Sequence, residues 1–170
     1  MATFTGTRAA ATFPGPYDPI NGGSVWAGTC AVDANPTAAQ TFGLFWVPAG
    51  FVVVGGMFYM SDLDTNATET LDMDLGWAAN GGSGTYDAVD TDGLGNFGVA
   101  NGDAFANPSI NSVAGSIIPL SGAFLSAGLF PYFTKKTLIQ AYCVATCATF
   151  TAGSIGAYVH GYVDRSLAVG

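Results

Sequence analysis

Charged residues are scarce in this sequence, and basic residues are scarcest of all. Asp, Glu, Lys and Arg make up 9% of the 170 residues, whereas a soluble domain usually has about 25%. The basic side chains are Arg8, Lys135, Lys136 and Arg165, and the formal net charge is −8. Nucleic-acid binding needs clustered cations to neutralise phosphates, and anionic membrane surfaces attract basic proteins. The sequence therefore predicts neither a nucleic-acid partner nor a membrane partner.

Groups suited to catalysis are also few, with one histidine, His160, and three cysteines. The sequence contains no Gly-x-Ser-x-Gly, His-Glu-x-x-His, Cys-x-x-Cys or phosphate-loop motif. A base needs a nucleophile and an orienting acid nearby, and this set falls short of a zinc site. We therefore expect a protein that is not an enzyme and needs no cofactor. Three cysteines, with no apolar leader after Met1, predict free structural thiols in a reducing compartment.

Long uninterrupted hydrophobic runs are absent, although 49% of the residues are hydrophobic. Residues 34–61, 104–134 and 137–159 carry no charge, but proline, glycine and polar residues interrupt each of them. This pattern favours buried strands over membrane spans. So much apolar surface with so little charge predicts that part of the exterior is buried against other chains.

The clearest strand pattern lies in residues 47–77. Residues 51–60 (FVVVGGMFYM) follow a Pro-Ala-Gly turn and read as a strand buried on both faces, whereas residues 71–77 (LDMDLGW) alternate like a strand with one wet face. The polar residues between them predict an antiparallel hairpin. Further strands are predicted at 24–32 and 40–47, and at 134–145 and 154–163 as a second hairpin. Residues 78–96 are predicted as a loop, and residues 123–130 as a short helix or a buried turn.

These elements predict an all-β fold, with about eight strands in one β-sandwich or jelly-roll-like domain over residues 24–170. Residues 1–23 contain three prolines and little periodicity, so we expect an extended N-terminal arm that contacts a neighbouring subunit. The candidate interface residues in this arm are Phe4, Phe13, Pro14 and Tyr17.

Carboxylates supply the remaining candidate sites. Oxygen-bearing residues at Asp62, Asp64 and Asn66, and at Asp90 and Asp92, have the spacing of a calcium loop. Ala67 stands where such a loop has glycine, and neither segment has glutamate at the twelfth position, so solvated turns explain the same residues.

Two further patterns invite a functional interpretation. The pair Asp72 and Asp74 could supply the two acids of a glycoside hydrolase, or only the wet side of a strand. The tryptophans Trp26, Trp46 and Trp77 could form a sugar-binding platform or belong to the core.

Several phrases resemble small structural proteins of tailed bacteriophages. They are VPAGFVVVG at 47–55, SDLDT at 61–65, TLDMDLG at 70–76 and ATFTAG at 148–153, within a similarity that extends over roughly residues 39–164. The resemblance implies a jelly-roll-like head decoration or cement subunit, commonly a homotrimer, that binds the major capsid protein on the capsid surface of the virion. Such a protein is made in the host cytoplasm and has no catalytic residues. A tail or fibre protein, or a lectin-like glycan-binding β-sandwich, is the alternative.

Overall fold

The computed structural model of the protein describes residues 3–5, 24–66, 70–96, 116–120 and 123–169. These residues form nine strands and one helical turn. The elements are β1 (Thr3–Thr5), β2 (Ser24–Val32), β3 (Thr41–Val47), β4 (Phe51–Met60), β5 (Asp72–Trp77), β6 (Asp90–Asn96), β7 (Ser116–Pro119), α1 (Ala123–Ser126), β8 (Thr137–Ala145) and β9 (Gly153–Val163). Within these residues, no helix has the length and apolar character needed to cross a membrane.

The strands form two sheets that pack face to face. The five-stranded sheet has the order β1-β3-β8-β5-β6, and the four-stranded sheet has the order β2-β9-β4-β7. Apart from β1, which runs parallel to β3, neighbouring strands are antiparallel. The pairs β2–β9, β3–β8, β4–β7 and β5–β6 are nested, so the chain is one long antiparallel hairpin folded over into two layers. This is the jelly-roll arrangement, and it confirms the predicted all-β single-domain sandwich.

One apolar core fills the space between the sheets. In β9, Ile155, Ala157 and Val159 point inward, while Tyr158 and His160 point outward, as the period-two pattern predicts. Both sheets contribute to this core. Its largest fully buried side chains include Trp77, Phe42, Phe51, Phe58 and Phe133.

The predicted hairpins are wrong. The strands β4 and β5 lie in different sheets, where β4 pairs with β7 and β9, and β5 pairs with β6 and β8. The strands β8 and β9 are likewise in opposite sheets. Each connecting segment crosses an end of the sandwich, with apolar residues such as Leu63 and Leu71 buried along the way. Alternation in sequence identifies a strand and its inward face, but it does not identify the neighbouring strand.

Burial in two of the predicted strands also differs from expectation, and one predicted loop contains a strand. Every residue of β5 is buried, including Asp72 and Asp74, so the predicted wet face is wrong. Strand β4 is predicted to be buried on both faces, but Val54 is exposed and the three residues after it are partly exposed. The segment predicted as a loop contains β6, which pairs with β5 across an irregular register. The predicted helix or turn at 123–130 is a single helical turn, α1.

The N-terminal arm enters the described structure at one point. Strand β1 pairs with β3, and Phe4 is in register with Phe42. The other interface candidates, Phe13, Pro14 and Tyr17, lie outside the described residues.

Candidate interaction surface

The outer side of the four-stranded sheet carries no formal charge in its described residues. None of its strands contains Asp, Glu, Lys or Arg. The core takes one side of each strand, which leaves the alternate residues of β2, β4 and β9 facing outward. We call this surface the tyrosine face. It comprises Val25, Ala27, Thr29, Val54, Met57, Tyr59, Tyr158, His160 and Tyr162.

Strand register brings these residues together. Tyr158 of β9 lies between Ala27 of β2 and Met57 of β4, because β9 pairs with both strands. His160 is likewise in register with Val25 and Gly55. The side chains at the centre are half-buried, whereas Val25 is 60% exposed and Tyr162 is 48% exposed. The surface is therefore continuous across three strands.

Two glycines allow aromatic rings to lie across this surface. A Cβ atom at Gly156 would overlap the ring of Tyr59. At Gly55 a Cβ atom would lie 2.8 Å from Cε1 of His160. Both rings therefore cover backbone where another residue type would project a side chain. Aromatic residues and methionine without charged neighbours are typical of the centre of a protein–protein interface.

The acids lie on the opposite sheet. Asp72 and Asp74 belong to β5, and Asp90 and Asp92 belong to the adjacent edge strand β6. Of these four acids, Asp92 is exposed and Asp90 is partly exposed, so the outer side of the five-stranded sheet is acidic at its β6 edge, whereas the tyrosine face carries no formal charge.

Asp72 and Asp74 are buried, and one oxygen of each carboxyl group is unpaired within the described residues. Asp72 is 6% exposed and Asp74 is 5% exposed, and the unpaired oxygen of each is Oδ1. Burial raises the pKa of Asp74 to about 7, with added repulsion from Asp72 and Asp92. Burial also raises the pKa of Asp72.

At one end of the sandwich, the buried Asp64 carboxylate joins two loops. It accepts backbone N–H groups from Thr70, Ala148 and Thr149, each at 2.9 Å, and also from Leu71 at 3.2 Å and Asn66 at 3.3 Å. Burial opposes ionisation, but these hydrogen bonds outweigh it and lower the pKa of Asp64. The carboxylate therefore fixes the β4–β5 loop to the β8–β9 loop.

A second buried carboxylate, Asp87, does the same at the other end. It accepts hydrogen bonds from the Thr134 hydroxyl, from Thr134 N–H at 3.0 Å, from Asn80 Nδ2 at 2.7 Å and from Gly84 N–H at 2.7 Å. Burial disfavours the charged form, yet these donors together lower the pKa of Asp87. The β5–β6 loop is thereby attached to the segment that precedes β8.

The calcium candidates lie in two separate places, the β4–β5 loop and strand β6. Five backbone N–H groups already bind the oxygens of Asp64 and occupy the positions that a cation would use. In the part of the chain that the structure describes, no three His, Cys, Asp or Glu side chains are arranged to hold a metal ion. Calcium binding at Asp62, Asp90 or Asp92 stays a prediction.

The other candidates are dispersed. Trp26 and Trp77 are buried in the core, and Trp46 lies under Nζ of Lys136 at 4.9 Å from the ring centre, so the three do not form one exposed platform. His160 is exposed on the tyrosine face. All three cysteines are free and buried. Burial raises the pKa of Cys143 to about 11 and that of Cys147 to about 12, with nearby acids adding to both shifts.

Comparison with known proteins finds a similar fold in chains of phage capsids. No protein-family model and no curated protein matches this sequence. A chain in the solved structure of the capsid of Ralstonia phage GP4 is 20% identical with a TM-score of 0.64, and the match covers 96% of this chain and 99% of that one. A chain in the capsid asymmetric unit of cyanophage Pam1 is 22% identical with a TM-score of 0.57, covering 92% and 96%. At these identities the matches show a shared fold, and the coverage shows that the compared chains have nearly the same length.

Proposed function

We propose that this chain is a non-enzymatic structural subunit of a bacteriophage capsid, and that it decorates and stabilises the outer shell. The similarity in fold to two capsid chains, over nearly their full lengths, supports the structural role. Fold alone does not determine function. The proposal therefore also depends on whether the tyrosine face can bind another protein chain.

The tyrosine face is the observation that carries the proposal. A chain with a formal net charge of −8 repels other acidic proteins, but this face presents no formal charge to a neighbour. It can be buried without leaving an ion unpaired, which would cost several kcal/mol by general estimates of ion desolvation. We infer that it contacts another capsid chain, either the major capsid protein or a neighbouring copy in a homotrimer.

Two valines provide a matched test of this surface. Val25 is exposed on the tyrosine face, and Val144 is 41% exposed on the outer side of the five-stranded sheet. We expect Val25→Glu to weaken cosedimentation with shells of the major capsid protein at least tenfold, because it buries an unpaired charge. Val144→Glu should bind like the unmodified protein. Both variants should fold, since surface substitutions usually change stability by no more than about 0.5 kcal/mol.

The oligomeric state is measured on the same samples by light scattering. A trimer that Val25→Glu dissociates would assign the tyrosine face to contacts between copies, whereas a trimer that persists with lost shell binding would assign it to the shell. Failure of the unmodified protein to cosediment would reject decoration. Equal binding by both variants would reject the role of the tyrosine face.

A further inference from the structure

The buried acids of β5 have no counter-charge among the described elements that pack against them. Asp72 and Asp74 lie two residues apart on the same side of the strand, roughly 7 Å along it. Oδ1 of each is buried and has no hydrogen-bond partner among the described residues. A buried carboxylate in this situation must bind a proton or bear a large electrostatic cost.

The neighbouring strands supply no cation. Strand β8 places Tyr142 opposite Asp74 and Ala145 opposite Asp72, and it also holds the buried Cys143 thiol. Strand β6 places Asn96 opposite Asp74 and adds the acids Asp90 and Asp92. Neither strand contains Lys, Arg or His. Ionisation of the pair therefore adds negative charge to a region that already carries it.

Strand β6 is the element that such repulsion can move. Among the strands that the structure describes, it is the outermost of its sheet and pairs with β5 alone. Its register is irregular, since Leu75 is opposite Gly95 and Trp77 is opposite Asp90. Residues 91–94 therefore have no ladder partner in β5.

We propose that Asp72 and Asp74 form a proton-linked switch: the protonated pair keeps β6 paired with β5, and loss of the proton loosens this edge. The raised pKa of Asp74, about 7, places the change near neutrality. Because the folded state holds the proton more tightly than the unfolded chain, pairing of β6 is favoured at acidic pH and weakens as pH rises. The inference concerns the subunit itself and does not depend on the proposed capsid role.

Hydrogen exchange tests the switch. Protection of the amides of residues 95 and 96, which are in register with β5, is corrected for intrinsic exchange rates and compared at pH 5.5 and pH 8.5. We expect it to fall at least tenfold at the higher pH in the unmodified protein, because one pKa unit corresponds to a tenfold change in equilibrium. In Asp74→Asn the pH dependence should become smaller, because Asp72 is then the one acid of the pair that can ionise. Asp33→Asn is the control, because Asp33 is exposed in the segment between β2 and β3, distant in sequence from Asp74. It should show the same pH dependence as the unmodified protein.

Two outcomes would overturn the proposal. The first is the same pH dependence in Asp74→Asn as in the unmodified protein, and the second is constant protection in the unmodified protein. If Asp74→Asn does not fold, carboxyl carbon-13 chemical shifts of the unmodified protein decide the matter: a midpoint below pH 5 for both acids rejects the switch.

Discussion

Replacing Asp64 by asparagine should remove a large part of the protein's stability. In the folded protein Oδ2 accepts three backbone N–H groups, from Thr70, Leu71 and Ala148, and Oδ1 accepts two, from Asn66 and Thr149. Asparagine has one acceptor oxygen, so its NH2 group must face at least two of these donors. Each buried donor left without a partner costs about 1–3 kcal/mol, and we expect a total loss of about 3–5 kcal/mol.

The assay is urea denaturation at pH 7, followed by tryptophan fluorescence. The expected loss should appear as a lower midpoint with an unchanged slope, because the unfolded and folded surfaces stay the same. In a thermal scan the melting temperature should fall by roughly 6–20 °C, at about 2–4 °C per kcal/mol for a chain of this size.

Asp62→Asn is the control, because Asp62 is exposed two residues away. It should change stability by no more than about 0.5 kcal/mol. A loss below about 1 kcal/mol for Asp64→Asn would refute the reasoning, since charge-assisted hydrogen bonds alone contribute about 1.5–3 kcal/mol each.

Two further predictions follow from the buried groups. The lowered pKa values of Asp64 and Asp87 mean that stability is present above the unfolded pKa and is lost as pH falls through the folded values. Asp87→Asn should therefore flatten the acid limb of a plot of melting temperature against pH, and an unchanged limb would contradict this. At pH 8 the native protein should leave Cys143 and Cys147 unmodified by a thiol reagent, because both are buried with pKa values of about 11 and 12. Labelling at the same rate with and without urea would show that they are accessible.

The sequence predicted strands well because their signal is local. The predicted strands 24–32 and 51–60 coincide with β2 and β4, and alternation in the last strand separated inward Val159 from outward Tyr158. Proximity in sequence predicts a hairpin for two consecutive strands, but in a jelly roll most consecutive strands lie in different sheets. Among the described strands, β5 and β6 are the one consecutive pair that forms a hairpin.

The sites were harder to predict than the strands. Asp62, Asp64 and Asn66 looked alike in sequence, yet only Asp64 is buried by a distant loop at 148–149. No local pattern specifies such a contact. Alternation with apolar residues predicts that Asp72 and Asp74 form the wet side of a strand, but it does not reveal what covers that side. The uncharged character of β2, β4 and β9 was readable from the start, but its meaning required knowing that they share one sheet.

The nested pairing also determines when this protein can fold. Ser24 pairs with Gly161, and β8 and β9 are interior strands of their sheets although they come last in the described order. While a ribosome is still making the first half of the domain, both sheets lack the strand that joins their parts. Contacts so distant in sequence make folding slow and leave strand edges open in the meantime. Resistance to protease should therefore arise only after β9 has been synthesised. Aggregation competes most strongly with folding before that point, while nascent chains are crowded together.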